Sequence, residues 1–366
     1  MQNSQNSEKV IFHPSIFDFN IPGKKEEFDS LHERFNFQIL NTLAAQMEDL
    51  AEINFPEDAK KGVPPNELVN RLLNGKKIED FGNLVYYPWK NSAAWILKED
   101  YFSETRTNRN RNKITADIQQ QLFQKHVLII GLSVGQSAAL AFAMQRICGH
   151  LHLADFDSLS LSNMNRLRAS VLDINLPKTA IAARQIAEQD PYLQVHCFAD
   201  GATAENLDAL ITRNGMGKVD LIVEECDSLE VKLMVRQKAK EYGVPVIMDT
   251  SDRGLMDIER FDLEKNRPLF HGLLEGEILP EPGEKLNPGR RFELLSKIVN
   301  ISGVSRGMQI SLPEIGKSLL TWPQLSYEVT LGGALTTYVG YKILAGEQMD
   351  SGRIYVDLEE IFKKKE

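Results

Sequence analysis

Cysteine is scarce in this chain: Cys148, Cys197 and Cys226 are the three among 366 residues, each isolated and none in a CxxC pair. That excludes a disulfide framework and a thiolate zinc site, and it fits a reducing compartment. Long apolar runs are missing as well. No window approaches the roughly 20 apolar residues of a spanning helix, so no membrane association is expected. The polar start from Met1 to Lys9 has no apolar segment of the signal-peptide kind. A cytoplasmic location is the expectation. Basic excess is lacking too, and the net charge of −9 argues against nucleic acid as a partner. The seven histidines show no metal-ligand grouping, although His150 and His152 alternate along a strand pattern and His271 stands in a proline-rich region. What is present, 42% hydrophobic and 25% charged residues, is the composition of a globular protein with room for a large domain and an appendage.

The centre of the chain runs from His126 to Arg166. Four apolar residues, Val127 to Ile130, end at Gly131 and predict a buried parallel strand feeding a tight turn. An alanine-rich helix follows Ser137, and a second short strand, Leu151 to Ala154, ends at Asp155. Strand, glycine turn, helix, strand and carboxylate make a nucleotide-binding βαβ unit. The turn lays phosphates on a helix N-terminus, and the acid accepts from ribose hydroxyls. The usual G-x-G-x-x-G fingerprint is altered: Gly131 is in place, Ser133 and Gln136 hold the second and third glycine positions, and Gly135 falls one place early.

Before this centre lie a polar leader (1–25) and a small α+β region (26–112). That region is expected to hold an amphipathic helix from Phe28 to Ile53, a shorter helix around Glu67 to Leu73, and two strands flanking Pro88 to Asn91 whose Tyr86, Tyr87, Trp89 and Trp95 pack a hairpin. A polar link from Glu104 to Lys113 carries Arg106, Arg109 and Arg111. Two meanings stay open for it, a solvated loop or a reach toward an anion. After Arg166, strand and helix alternate through Thr250, which predicts a mostly parallel, doubly wound α/β sheet over 113–362. Residues 262–325 break that rhythm with six prolines and read as an inserted lid with helices near 291–300 and 312–320. The chain closes on a glycine-rich helix, Gly332 to Ala345, and a strand, Gly352 to Leu358.

Asp155 and Asp157, followed by Ser162, Asn163, Met164, Asn165 and Arg166, resemble the D-x-D…S-N-L-x-R signature of the ThiF/MoeB/HesA family, the adenylating module of ubiquitin-activating enzymes. Pro177-Lys178, Glu225-Cys-Asp227 and the terminal helix and strand match in order, so the likeness covers residues 115–362. The wording around Gly131, Glu225, Met248 and Thr321 is similar to a ThiF subgroup often fused to a nitroreductase-like flavin domain. The resemblance implies a Rossmann-like, ThiF-type fold and ATP- and Mg²⁺-dependent adenylation of a carboxylate, with a peptide or small-protein C-terminus among the candidates.

By the same resemblance the turn of Gly131, Ser133 and Gly135 cradles phosphate and Asp155 holds the ribose. Ser162, Asn163, Asn165 and Arg166 line the nucleotide, and Asp157 joins them or serves only as a turn acid. Lys178 faces an anion, as expected for a cation at a helix start, where the dipole disfavours it. Asp227 binds the metal, and an arginine from the link, Arg111 ahead of Arg109, reaches the phosphates of a dimer partner. Catalysis would rest on Arg166, Lys178, Asp227 and Arg111. Family members that use a thioester carry a cysteine beyond the last sheet strands. Here none follows Cys226, so the acyl-adenylate would pass directly to an acceptor. Two alternatives remain: a redox protein using NAD(P) or flavin with a nitroreductase-like partner, and a non-catalytic nucleotide-binding scaffold. Asp249 and Arg253, at a strand's C-terminal end, read either as substrate contacts or as a structural turn.

Overall fold

A computed structural model describes residues 10–281, 283–299 and 303–363. The first nine residues of the leader, Pro282 and the end of the helix expected near 291–300 lie outside the described residues. Residues 1–116 with 187–192 form one unit, and 117–186 with 193–366 form another.

The first unit contains β1 (Ser15–Phe17), α1 (Lys24–Phe35), β2 (Gln38–Asn41), α2 (Leu43–Asn54), α3 (Pro56–Lys60), α4 (Pro65–Leu73), β3 (Gly82–Tyr87), β4 (Ser92–Leu97) and α5 (Glu99–Thr107). Its sheet has the order β1-β3-β4-β2. The aromatic hairpin is there, with β3 antiparallel to β4 and Val85 opposite Ala94. Trp89 donates to Glu188 at 2.6 Å.

Two expectations for this region fail. The leader is not wholly loose, because Ser15–Phe17 pairs with β3 and Phe17 is buried. The single helix from Phe28 to Ile53 is broken: Asn36 adopts φ 44°, a left-handed conformation asparagine tolerates, and β2 follows, parallel to β4. The helical spacing of Phe35 and Ile39 had no buried stripe behind it, since both side chains are exposed. The link is also more ordered than its polarity suggested, with α5 running to Thr107.

The second unit contains α6 (Ala116–Leu122), β5 (His126–Ile130), α7 (Gly135–Gln145), β6 (His150–Ala154), α8 (Lys178–Gln189), β7 (Gln194–Phe198), α9 (Leu207–Ile211), β8 (Leu221–Glu224), α10 (Leu229–Tyr242), β9 (Val246–Thr250), β10 (Leu255–Glu259), α11 (Pro288–Val299), α12 (Arg306–Ser311), α13 (Ser326–Leu344), β11 (Gly352–Tyr355) and α14 (Leu358–Phe362). The sheet order is β11-β10-β9-β8-β5-β6-β7. Strands β5 to β9 pair in parallel, and β10 and β11 extend the sheet antiparallel. This is the doubly wound α/β fold. Val127 to Ile130 are buried to the last residue, as a strand covered on both faces must be. Strand order reverses where β5 meets β6 on one side and β8 on the other, so ligands are expected above the C-terminal ends of β5, β6 and β8.

The inserted segment is anchored at its root. Phe270 and Leu274 pack with Leu229 and Leu233 of α10 and with Leu294 and Ile298 of α11. Below them Arg236, fully buried, donates to Glu224 at 2.8 Å and to Glu259, while Glu259 accepts the Phe270 N–H at 2.7 Å. Buried charges persist only when paired in this way. Where a helix was expected at 312–320, α12 ends at Ser311 and a single 3₁₀ turn spans Leu312–Glu314. Pro313 supplies no N–H to continue the ladder.

The histidines that alternate along the strand pattern gather with two others into a stack. His126 stacks on His150 with ring centroids 3.9 Å apart, His152 on His196 at 4.9 Å, and His126 Nδ1 lies 3.1 Å from His152 Nε2. Among the described residues no helix is long and apolar enough to cross a membrane.

Candidate functional site

The turn after β5 is fixed from two sides. Gly131 has φ 88°, and a Cβ there would sit 2.7 Å from the Glu225 carbonyl oxygen, so only glycine fits. On the other side Asp155, buried at the end of β6, accepts the Leu132 N–H at 2.6 Å through Oδ2 and the Asp157 N–H at 2.7 Å through Oδ1. Burial lifts the Asp155 carboxyl above its ordinary value, and Lys178 and those two N–H groups oppose the rise. Each oxygen keeps a further lone pair for a donor.

Arg166 lies over this turn. Its Nη2 donates to Ser133 Oγ at 3.0 Å and its Nη1 to Asn165 Oδ1 at 2.9 Å, while Nε is buried without a partner. Among the described residues no ion pair is formed by this guanidinium. Burial holds its affinity for protons below the usual arginine value, and the field of Asp227 opposes the effect. A half-buried cation that lacks a carboxylate partner is a ready anion receptor.

The neighbouring polar residues are partly engaged. Asn163 Oδ1 accepts from the Ser160 N–H and hydroxyl, and Ser160 Oγ lies 3.0 Å from Ser162 Oγ. Asn165 donates to the Gln324 carbonyl at 2.8 Å, which ties the motif to the inserted segment. Lys178 is buried at the start of α8 with its Nζ 2.8 Å from Asp157 Oδ2. Asp157 therefore does more than make a turn.

Gln136, at the third glycine's place, is buried. Its amide donates to the Arg168 carbonyl at 3.0 Å and accepts the Arg168 N–H at 2.9 Å. The irregular fingerprint is thus a strut for the loop after Arg166. The sequence signal for it was a polar amide within an otherwise alanine-rich helix start.

Asp227 is exposed between β8 and α10. Beneath it lies a carboxylate pair that sequence reading did not join: the Asp249 N–H donates to Glu225 Oε1 at 3.1 Å, and Thr336 donates to Asp249 Oδ1 at 3.4 Å. Asp249 Oδ2 is buried without a partner. Burial raises the Asp249 carboxyl to about 6 and lifts Glu225 well above its ordinary value. Gly332 of α13 permits the approach, since a Cβ there would fall 2.0 Å from Asp249 Oδ2.

Above the pair opens a cavity of about 180 Å³. Glu225, Asp227, Asp249 and Asp252 line it together with apolar side chains of the inserted segment. Asp252 and Arg253 fasten that segment. Asp252 Oδ2 accepts the Ser305 N–H at 2.9 Å, and Arg253 donates to the Gly303 carbonyl and, at 2.5 Å, to Asp357. Arg253 sits in a structural turn with φ 59°. His271 is likewise occupied, between Asp257 at 3.0 Å and Arg267 at 2.6 Å.

All three thiols are held protonated by burial: Cys197 is pushed up to about 12, and Cys148 and Cys226 are raised well above the usual range. None offers a thiolate. Arg109 and Arg111 are exposed residues of the first unit. Among the described residues no group of three or more His, Cys, Asp or Glu gathers to hold a metal ion. Asp227 as a lone carboxylate still fits magnesium, which takes one or two protein carboxylates and completes its shell with phosphates and water.

Residues 107–276 match the ThiF family model. The chain carries a ThiF-family domain. It is 41% identical over 293 residues to an uncharacterized protein of Mycobacterium tuberculosis, covering 79% of this chain and 40% of that protein. This chain thus spans less than half the length of that relative. It is 26% identical over 184 residues to the molybdopterin-synthase adenylyltransferase of Haemophilus influenzae, covering 49% of this chain and 72% of the relative. Among solved structures, PaaA superposes with a TM-score of 0.52 at 21% identity over 72% of this chain and 82% of its own, a likeness of fold. Within the ThiF domain the structure gathers Gly131, Ser133, Asp155, Asp157, Arg166 and Lys178 around one turn.

Proposed function

We propose that the ThiF domain adenylates a carboxylate with ATP and magnesium. The observation that carries this reading is Arg166, a half-buried guanidinium hydrogen-bonded to the phosphate turn through Ser133 and lacking a carboxylate partner. The turn of Gly131, Ser133 and Gly135 cradles the phosphates at the start of α7, and Asp155 accepts from the ribose. Asn163 and Arg166 contact the phosphate oxygens, and Lys178 swings between Asp157 and the nucleotide. Asp227 holds magnesium, which supplies charge neutralisation to the triphosphate.

In the reaction a substrate carboxylate oxygen attacks the α-phosphorus, the bond to the bridging oxygen breaks, and pyrophosphate leaves with its electron pair. Arg166 and Lys178 stabilise the charge that accumulates on it. With no thiolate among its cysteines, the chain hands the acyl-adenylate to an amine, a thiol or water without a thioester of its own. Small-protein or peptide carboxylates are among the candidate substrates, a homodimer would bring Arg111 or Arg109 to the γ-phosphate, and a flavin nitroreductase-like protein is a candidate partner.

Calorimetry with ATP·Mg²⁺ and with NADH, on the wild type and Arg166→Ala, tests the reading. ATP binding that the substitution abolishes, followed by pyrophosphate exchange, supports it. NADH binding without ATP binding overturns it in favour of a redox role, and ATP binding without exchange against any carboxylate favours a scaffold.

A further inference from the structure

Resting on that reading, we infer that the carboxylate is carried by an α-amino acid with a large apolar side chain, held in the cavity above Asp249. Leu295, Val299, Val304, Met308, Leu312 and Trp322 form its apolar wall. A volume of about 180 Å³ is close to that of an apolar cavity of about 150 Å³ that takes up benzene, room for one apolar side chain but not for the body of a folded partner. The cavity adjoins the nucleotide motif: Gln324 lines it, and the Gln324 carbonyl accepts from Asn165.

The carboxylates in its lining select charge: Asp249 and Asp252 stand with Asp227, the residue assigned to magnesium, and the two cations of the lining are already taken. Lys232 lies 3.2 Å from Glu224, and Arg253 pairs with Asp357. A bare carboxylic acid entering here meets an apolar wall and a repelling rim. An amino acid resolves both, with its ammonium on the acidic rim, its side chain against Met308 and Trp322, and its carboxylate left to face the α-phosphate.

Direct binding, measured by calorimetry in the presence of a non-hydrolysable ATP analogue, tests the assignment with leucine, phenylalanine, isocaproate (leucine without its amine) and a glycine-terminated tripeptide. Leucine and phenylalanine should bind, with isocaproate weaker by about tenfold or more, the scale of a lost charged hydrogen bond. Met308→Ala should shift preference toward the larger side chain. Met308→Trp should weaken both amino acids by at least about tenfold while the affinity for the ATP analogue is unchanged. Equal binding of isocaproate and leucine, binding of the tripeptide alone, or indifference to both Met308 substitutions overturns the assignment. Pyrophosphate exchange separates the two levels. Amino-acid binding without exchange removes the adenylation reading and leaves the pocket assignment standing; exchange with the tripeptide alone does the reverse.

Discussion

Arg166 donates through Nη2 to Ser133 Oγ at 3.0 Å, joining the turn after β5 to a motif 33 residues later. Its planar fork and permanent charge are what a triphosphate needs. Arg166→Ala is expected to weaken ATP binding by at least about tenfold, the loss of one charged hydrogen-bonded contact. Arg166→Lys should recover little of it, because a point charge cannot make the paired bonds. Calorimetry reads both.

Lys178 is the second cation, buried and paired with an Asp157 that is half exposed. Lys178→Met should lower ATP affinity by about tenfold or more and leave the fold intact, since Asp157 can return to water. An unfolded variant by circular dichroism, or one with wild-type affinity, would show the lysine to be a purely structural residue.

Gly332 has no space for a methyl group, because Asp249 Oδ2 occupies its place. Overpacking a tight contact costs about 1–3 kcal/mol. Gly332→Ala should lower the urea midpoint accordingly, without changing the slope. The effect should shrink in the double variant with Asp249→Ala, and that coupling is the measurement that matters.

Arg236 lies fully buried between Glu224 and Glu259. Arg236→Met leaves the buried Glu259 without its cation and Glu224 with Lys232 alone, a loss of about 3–5 kcal/mol by analogy with broken buried pairs. Equilibrium denaturation should show it as one of the largest single-residue losses in the chain.

The imidazole stack makes stability depend on pH. Burial, then the neighbouring imidazoles and Arg213, hold His126 down to about 4; burial, then His196, His126 and His150, hold His152 down to about 3, against an ordinary 6.5. Asp220 pulls His126 the other way, and Arg213 lies 3.0 Å from its Nε2. The unfolded chain takes protons first, so the contribution is full above 6.5 and declines as pH falls toward 4 and 3. Denaturation midpoints at about pH 7.5 and about pH 5 should differ, and His152→Phe should reduce the difference.

The βαβ unit and the parallel sheet were legible because their signals are local: an apolar run, a glycine that must turn, a carboxylate at a strand end. Asp155, Arg166 and Lys178 were reachable by motif, and the structure brings them to one turn. What the sequence hid depends on distant neighbours. Glu225 and Asp249 meet only because β8 and β9 are adjacent. Gln136 reads as a defect in a fingerprint until its amide is seen on Arg168. The Phe28–Ile53 periodicity misled because two elements happened to continue one spacing across Asn36, and β10 was missed because its Asp257 and Glu259 are buried acids in a strand, compensated by Arg353, His271 and Arg236.

The anchoring of Phe270 on Glu259 has a consequence for anyone who would exchange parts between relatives. The segment from 262 to 325 is not a removable cassette. Its first turn belongs to the sheet's own charge lattice, through Arg236, Glu224 and Glu259, whereas the stretch around Ser305 is attached by a few hydrogen bonds to Asp252 and Arg253. A chimaera spliced at residue 262 must import a partner for a buried glutamate and arginine. One spliced after Gly272 keeps the lattice whole and transplants only the walls of the cavity.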